Sequence, residues 1–115
     1  AAYFPAAFFS EAYITFPDPH ESQESGKRRL TSRRFLDLYR QVFIAGSRFH
    51  LKTDSEVLYD FSRHSVADQG CTVLHHTDDL YNSDLAGSDI TSILTTYEKR
   101  YLAAGKTIKY LQFSL

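Results

Sequence analysis

Two hydrophobic periodicities alternate along this chain, and that alternation limits its fold more than any other feature. The apolar run from Ala12 to Phe16 ends at Pro17 and reads as a short strand. Phe35, Leu38, Tyr39, Val42 and Phe43 then follow a helical stripe, which Thr31 or Ser32 can cap and Gly46 can close. Phe49, Leu51 and Thr53 alternate with Arg48, His50 and Lys52 along a second strand. Thr53-Asp-Ser-Glu56 is a capping-box pattern that opens a second helix, with a weak stripe of Val57, Leu58 and Phe61 and an end near Gly70. "CTVLHHT" reads as a third strand, and the stretch from Asp78 to Asp89 has turn composition. A last helix carries Ile93, Leu94, Tyr97 and Tyr101 and ends at Gly105, and "TIKYLQFSL" closes the chain as a strand.

Strand-helix alternation of this kind predicts an α/β domain, a sheet with helices on its faces. One segment resists it. A sheet covered on both faces should not place Arg48, His50 and Lys52 on a central strand, so either one face is open or those side chains reach the strand end. A chain of 115 residues is one domain at most, and nine Phe and eight Tyr supply enough bulk for a core.

The same numbers exclude several classes. No apolar run approaches the eighteen residues of a membrane-spanning helix, and the apolar start has no basic leader of the secretory type. Cys71 is the lone cysteine, which argues against an internal disulfide or a cysteine-based zinc site; a buried, inert thiol and a cytoplasmic protein are expected. His75 and His76 are strand neighbours that point to opposite faces, and His50 and His64 have no metal-like spacing, so no metal site is expected. No P-loop, G-x-G-x-x-G, H-E-x-x-H or G-x-S-x-G pattern appears.

The net charge of −1 conceals segregation. Residues 27–52 carry a net charge of +7, between acidic blocks of −4 (residues 1–26) and −8 (residues 53–98). A block so basic can neutralise phosphates, or it can be an ordinary solvated helix face. In an open α/β sheet, ligands bind beyond the carboxyl ends of the strands. Asp18 in "FPDP" and Asp54 in "KTD" both sit at such ends. Pro17 and Pro19 stiffen the backbone around Asp18, so its carboxylate should project from an extended loop. Either aspartate can also be purely structural, Asp18 starting a turn and Asp54 capping a helix.

Taken in order, "FPDP", "KRRL", "RFLDLYR", "HLKTD", "LYNSDL", "TTYEKR" and "GKTIKYLQF" resemble the C-terminal half of the bacterial tRNA (guanine-N7-)-methyltransferases, from about Ser10 to Leu115. The resemblance implies a Rossmann-like fold dependent on S-adenosylmethionine, with residues 1–115 as its C-terminal half, a mixed sheet flanked by helices. It implies that Asp18, the aspartate of the F-P-D-P motif, lies at the active site beside cofactor and guanine. It further implies that Asp54 and the segment Thr95, Thr96, Tyr97 and Glu98 line the substrate site, and that Lys27, Arg28 and Arg29 meet tRNA.

Two departures accompany the likeness. The family's Trp or Gln after the second proline, and its lysine two residues later, are here His20 and Ser22, and Glu21 and Glu24 add negative charge to that loop. The family's glycine-rich turn and ribose-binding acid belong N-terminal to F-P-D-P, so the first strand is expected to present an edge able to pair with that half or with another chain. Two functions follow as expectations: methyl transfer from S-adenosylmethionine to guanine N7 in tRNA, with the N-terminal half required, or a non-catalytic half-domain that binds RNA or a protein partner.

Overall fold

The structure, a computed structural model, describes residues 9–85 and 96–115. Strand β1 (Phe9–Thr15) leads through a proline-rich loop and a short 3-10 helix (Gln23–Arg28) into α1 (Arg33–Val42). There follow β2 (Phe43–Thr53), α2 (Glu56–Asp68), β3 (Thr72–Thr77), a 3-10 turn (Leu80–Asn82), α3 (Thr96–Ala103) and β4 (Lys109–Ser114). The sheet order is β1-β2-β4-β3, with β1 and β2 parallel and β4 antiparallel to both of its neighbours. β3 therefore runs parallel to β1 and β2, and the carboxyl ends of all three meet at one edge of the sheet. The expected mixed α/β architecture is present. Among the described residues no helix is long and apolar enough to cross a membrane.

The strand alternation divides the sheet into two unlike faces. Phe49 and Leu51 of β2 and Leu111 and Phe113 of β4 share one face, where they pack with Leu36 of α1 and Leu58 and Val66 of α2. Phe49 sits at the centre, stacked on Phe113 at 5.3 Å and on Tyr39 at 4.8 Å between ring centroids. Each such aromatic or leucine contributes roughly 1.5–3 kcal/mol by leaving water. Tyr39 spans the end of this cluster, its hydroxyl donating to the Leu30 carbonyl at 2.7 Å, and burial pushes its phenol up to about 12. On the opposite face a smaller cluster of Leu80, Ile108 and Tyr110 gathers Phe16, Tyr81, Tyr101 and Leu102.

Arg48, His50 and Lys52 do share an interior strand, and polar pairing resolves the conflict. Glu11 on β1 meets both the His50 Nε2 (2.6 Å) and the Arg48 guanidinium (3.9 Å). His50 Nδ1 lies 2.6 Å from the Tyr110 hydroxyl, and the Tyr13 ring stacks on the imidazole at 4.5 Å. A buried polar group is tolerated when it is hydrogen-bonded, and these are.

Three local expectations need correction. Gly46 does not close α1: the helix runs directly into β2 at Phe43, and Gly46 sits inside that strand at φ +82. Its left-handed backbone falls where the β1–β2 register shifts between Phe9 and Glu11, so the glycine serves an irregularity in a strand. The buried side chain of α1 is Leu36, while Leu38 is 51% exposed. The α2 cap is Ser55, not Thr53: the Ser55 Oγ accepts from the Leu58 N–H at 3.1 Å, and Thr53 Oγ1 accepts from the Ser55 N–H at 3.0 Å. Ile93 and Leu94 lie outside the described residues.

Candidate functional site

The edge where β1, β2 and β3 end carries the loop 16–22, the N-terminus of α2 and the turn before β4. Asp18 leaves β1 on a backbone fixed by its two prolines. The His20 N–H donates to Asp18 Oδ1 at 3.0 Å, and the carboxylate is 74% exposed. Flanking it, Phe16 and His20 adopt φ values of +49 and +44, which non-glycine residues rarely do. The loop is nevertheless anchored: the Phe16 N–H donates to the Lys52 carbonyl at 2.8 Å, and the Ser55 hydroxyl reaches Glu21 at 3.4 Å. A rigid acceptor facing solvent can complement positive charge or accept from an N–H-bearing ligand.

Asp54 follows β2 on the same edge. Its carboxylate takes the Lys106 ammonium at 3.3 Å, and Lys106 also lies over the Tyr101 ring at 5.0 Å. Both belong to an open cleft of about 430 Å³, bounded also by Glu21, Ser55 and Lys109. Asp18 lies beside this cleft rather than in its lining. Lys106 carried no signal in the sequence beyond its charge; only the return of β4 between β2 and β3 places it opposite Asp54.

The four-residue segment of expected substrate contacts divides. Thr95 lies outside the described residues, and Thr96 and Tyr97 form the first turn of α3. Glu98 is fully buried, and Lys52 Nζ approaches both of its oxygens at 3.2 Å. The Tyr81 hydroxyl donates to the same carboxylate. Burial, and then the Glu98 carboxylate, push the Tyr81 phenol far above the usual tyrosine range. Glu98 thus joins α3 to β2 and to the 82-side turn beneath the edge. The inward-facing period of β2 could have indicated Lys52; nothing in "LYNSDL" indicated Tyr81 as its companion.

The basic triplet also divides. Lys27 and Arg28 are exposed at the end of the 3-10 helix, beside the exposed Arg33 and Arg34 at the start of α1. Arg29 is only 5% exposed. Its Nε and one terminal nitrogen donate to the carbonyls of Pro19, His20 and Ser22 at 2.8–3.3 Å, and its guanidinium stacks on Phe61 at 4.4 Å. The structure therefore turns Arg29 inward, away from solvent.

The remaining candidates have local partners. Cys71 is buried, and that burial raises its thiol pKa despite the neighbouring Arg40. His64 bonds the Asp60 carbonyl at 2.7 Å, and His76 lies 3.3 Å from the Tyr59 hydroxyl.

Comparison with known proteins gives this edge a family. The chain is 44% identical over 113 residues to a tRNA (guanine-N(7)-)-methyltransferase of Porphyromonas gingivalis, covering 98% of this chain and 46% of that protein. Proteins of the same name from Bacteroides fragilis and Christiangramia forsetii are each 37% identical, over 98% and 92% of this chain. The chain spans about half the length of these relatives, 44–47%. A family model described as "putative methyltransferase" matches residues 1–111. With that match over nearly its full length, and with its strand ends carrying the family's F-P-D-P and T-D aspartates, the chain belongs to this methyltransferase family.

Proposed function

We propose that this chain is the substrate-facing half of an S-adenosylmethionine-dependent tRNA (guanine-N7-)-methyltransferase, acting with the cofactor-binding half that the family carries N-terminal to F-P-D-P. The observation that carries this reading is the exposed Asp18 carboxylate, held by two prolines at the carboxyl edge of a chain related over 98% of its length to enzymes of that name. When bound, S-adenosylmethionine supplies a methyl group made electrophilic by its sulfonium. An exposed, rigid carboxylate fits the neighbourhood of such a cation, and Asp18 is the residue of this chain assigned to it.

Guanine N7 holds a lone pair and no proton, so methylation needs alignment and charge complementarity rather than a strong base. Methyl transfer from S-adenosylmethionine to N7 would leave a positive charge on the base, which the residues at this edge would have to complement. Asp18 accepts from the guanine and opposes that charge at a fixed position, which costs no reorganisation during transfer. Asp54, with Lys106 beside it, and the start of α3 at Thr96 and Tyr97 bound the nucleotide. Glu98 supports it from below through Lys52 and Tyr81. Lys27 and Arg28 hold backbone phosphates and fix register without reading sequence. tRNA as the substrate implies the cytoplasm.

The test uses the full-length enzyme, unmodified tRNA and S-adenosylmethionine, with 7-methylguanosine quantified by mass spectrometry. Asp18→Ala should lower turnover by about a hundredfold or more while tRNA binding stays within about twofold. Unchanged turnover would remove Asp18 from the reaction. RNA binding by a wild-type protein that transfers no methyl group would favour a non-catalytic half-domain instead, which could also pair through β1, an edge strand with Ser10, Tyr13 and Thr15 exposed.

A further inference from the structure

Two cations close the 3-10 helix and a third, Arg29, follows it, yet the three do not share an environment. Lys27 and Arg28 face solvent, while Arg29 is as buried as the core residues around it. A charge leaves water at high cost unless it is paired or fully hydrogen-bonded. Among the described residues no carboxylate pairs with the Arg29 guanidinium; three backbone carbonyls of one loop receive it, from Pro19, His20 and Ser22. Phe61 of α2 covers one face of the guanidinium at 4.4 Å. Gly26 faces it from the same turn, where an added β-carbon would lie 3.5 Å from a terminal nitrogen.

That loop is the one that carries Asp18. Within it His20 takes φ +44 and Phe16 takes φ +49, conformations that cost energy without a compensating anchor. Asp18 itself is tied to the loop by the His20 N–H at 3.0 Å. The chain of contacts therefore runs from Phe61 and α2 through the guanidinium to His20, and from His20 to the Asp18 carboxylate.

We infer that Arg29 is a positioning residue for Asp18, clamping the F-P-D-P loop from beneath, and that it is not a phosphate contact. The inference rests on the functional reading above and adds to it a part that the RNA-binding triplet does not contain. The planar fork is what the role needs. A lysine at position 29 keeps the charge but cannot direct two nitrogens at three carbonyls in one plane.

The experiment compares wild type, Arg29→Lys and Arg28→Lys in the full-length enzyme on unmodified tRNA. Arg29→Lys should lower kcat about tenfold to a hundredfold, the scale of an ångström-sized misplacement, with KM for tRNA held within about twofold. Arg28→Lys should shift KM for tRNA more than kcat, as expected of a phosphate contact. In direct binding, Arg28→Ala should flatten the slope of log K against log salt by about one, and Arg29→Ala should leave it unchanged. Normal kcat in Arg29→Lys, or a salt slope in Arg29→Ala that falls as it does in Arg28→Ala, would overturn the inference. Should the Arg29 variants not fold, Phe61→Leu removes the ring under the guanidinium without touching charge. It should lower kcat about two- to fivefold at constant KM and salt slope, and wild-type kcat there would count against the clamp. A wild type that forms no 7-methylguanosine sinks the functional reading and this one together, whereas an active wild type with indifferent Arg29 and Phe61 variants sinks this one alone.

Discussion

On the face covered by α1 and α2, Phe49, Leu51, Leu111 and Phe113 are buried by apolar neighbours, while on the other face of the same two strands His50, Lys52 and Tyr110 are buried nearly as deeply by polar ones. The first face can be repacked by any side chains of matching volume, because dispersion and water exclusion have no preferred partner. The second has a fixed pairing: Glu11 with His50, His50 with Tyr110, and Glu98 with Lys52 and Tyr81. Removing one member there strands another in low dielectric. The sheet thus joins a face that supplies stability to a face that specifies where α3 and its neighbours sit at the candidate site.

The difference between the faces can be measured. The largest loss is expected from Phe49→Ala, which removes the ring between Phe113 and Tyr39 and should cost about 3–5 kcal/mol in urea denaturation of the intact protein. A loss below about 1 kcal/mol would mean that the aromatic stack is not the centre of the core. Lys52→Ala should cost about 3 kcal/mol, because the Glu98 carboxylate stays buried without its ammonium. Pairing Lys52→Met with Glu98→Gln, which keeps an acceptor for Tyr81, should recover most of that loss. A double variant whose loss equals the sum of the losses in Lys52→Met and Glu98→Gln taken singly would show that the two side chains are not coupled.

The smallest effect belongs to Glu11 at the rim of the polar face. Its hydrogen bond to His50, and then the positive charge of Arg48, hold its carboxyl below the usual glutamate range. A depressed folded-state pKa means that the unfolded chain binds this proton more readily, so the contribution is present above the ordinary carboxylate pKa and is lost as pH falls through the folded value. Because the side chain is 36% exposed, screening limits that contribution to a few tenths of a kcal/mol. Stability of wild type and Glu11→Gln, compared from about pH 7 down to about pH 3, should therefore converge at the acid end. A difference that persists there would assign the effect to packing rather than charge.

Much of this was readable along the chain. Four strand segments were marked, the second by strict alternation, since a residue's face in a sheet follows from its position alone. Pro17 and Pro19 announced a stiff loop around Asp18 because proline restricts φ whatever surrounds it. Other residues gave no such warning. Gly46 is glycine both at a helix end and in an irregular strand, and the choice depended on Phe43 finding Phe49 as a neighbour. The capping box read at Thr53 gave way to Ser55, whose hydroxyl accepts from the Leu58 N–H while Thr53 accepts from Ser55 itself.

What the sequence determined by itself was the order of elements, the rigid presentation of Asp18 and the family to which the motifs belong. The tertiary structure alone decided which long cations face inward. Arg28 and Arg29 are adjacent and chemically identical, yet one lies in solvent and the other beneath the Asp18 loop. Lys52 differs from Arg48 only in what waits beyond the strand: a buried carboxylate on α3 for one, the rim of the sheet for the other. A flexible charged side chain can be solvated in any direction, and it turns inward only where the fold assembles enough acceptors to replace water.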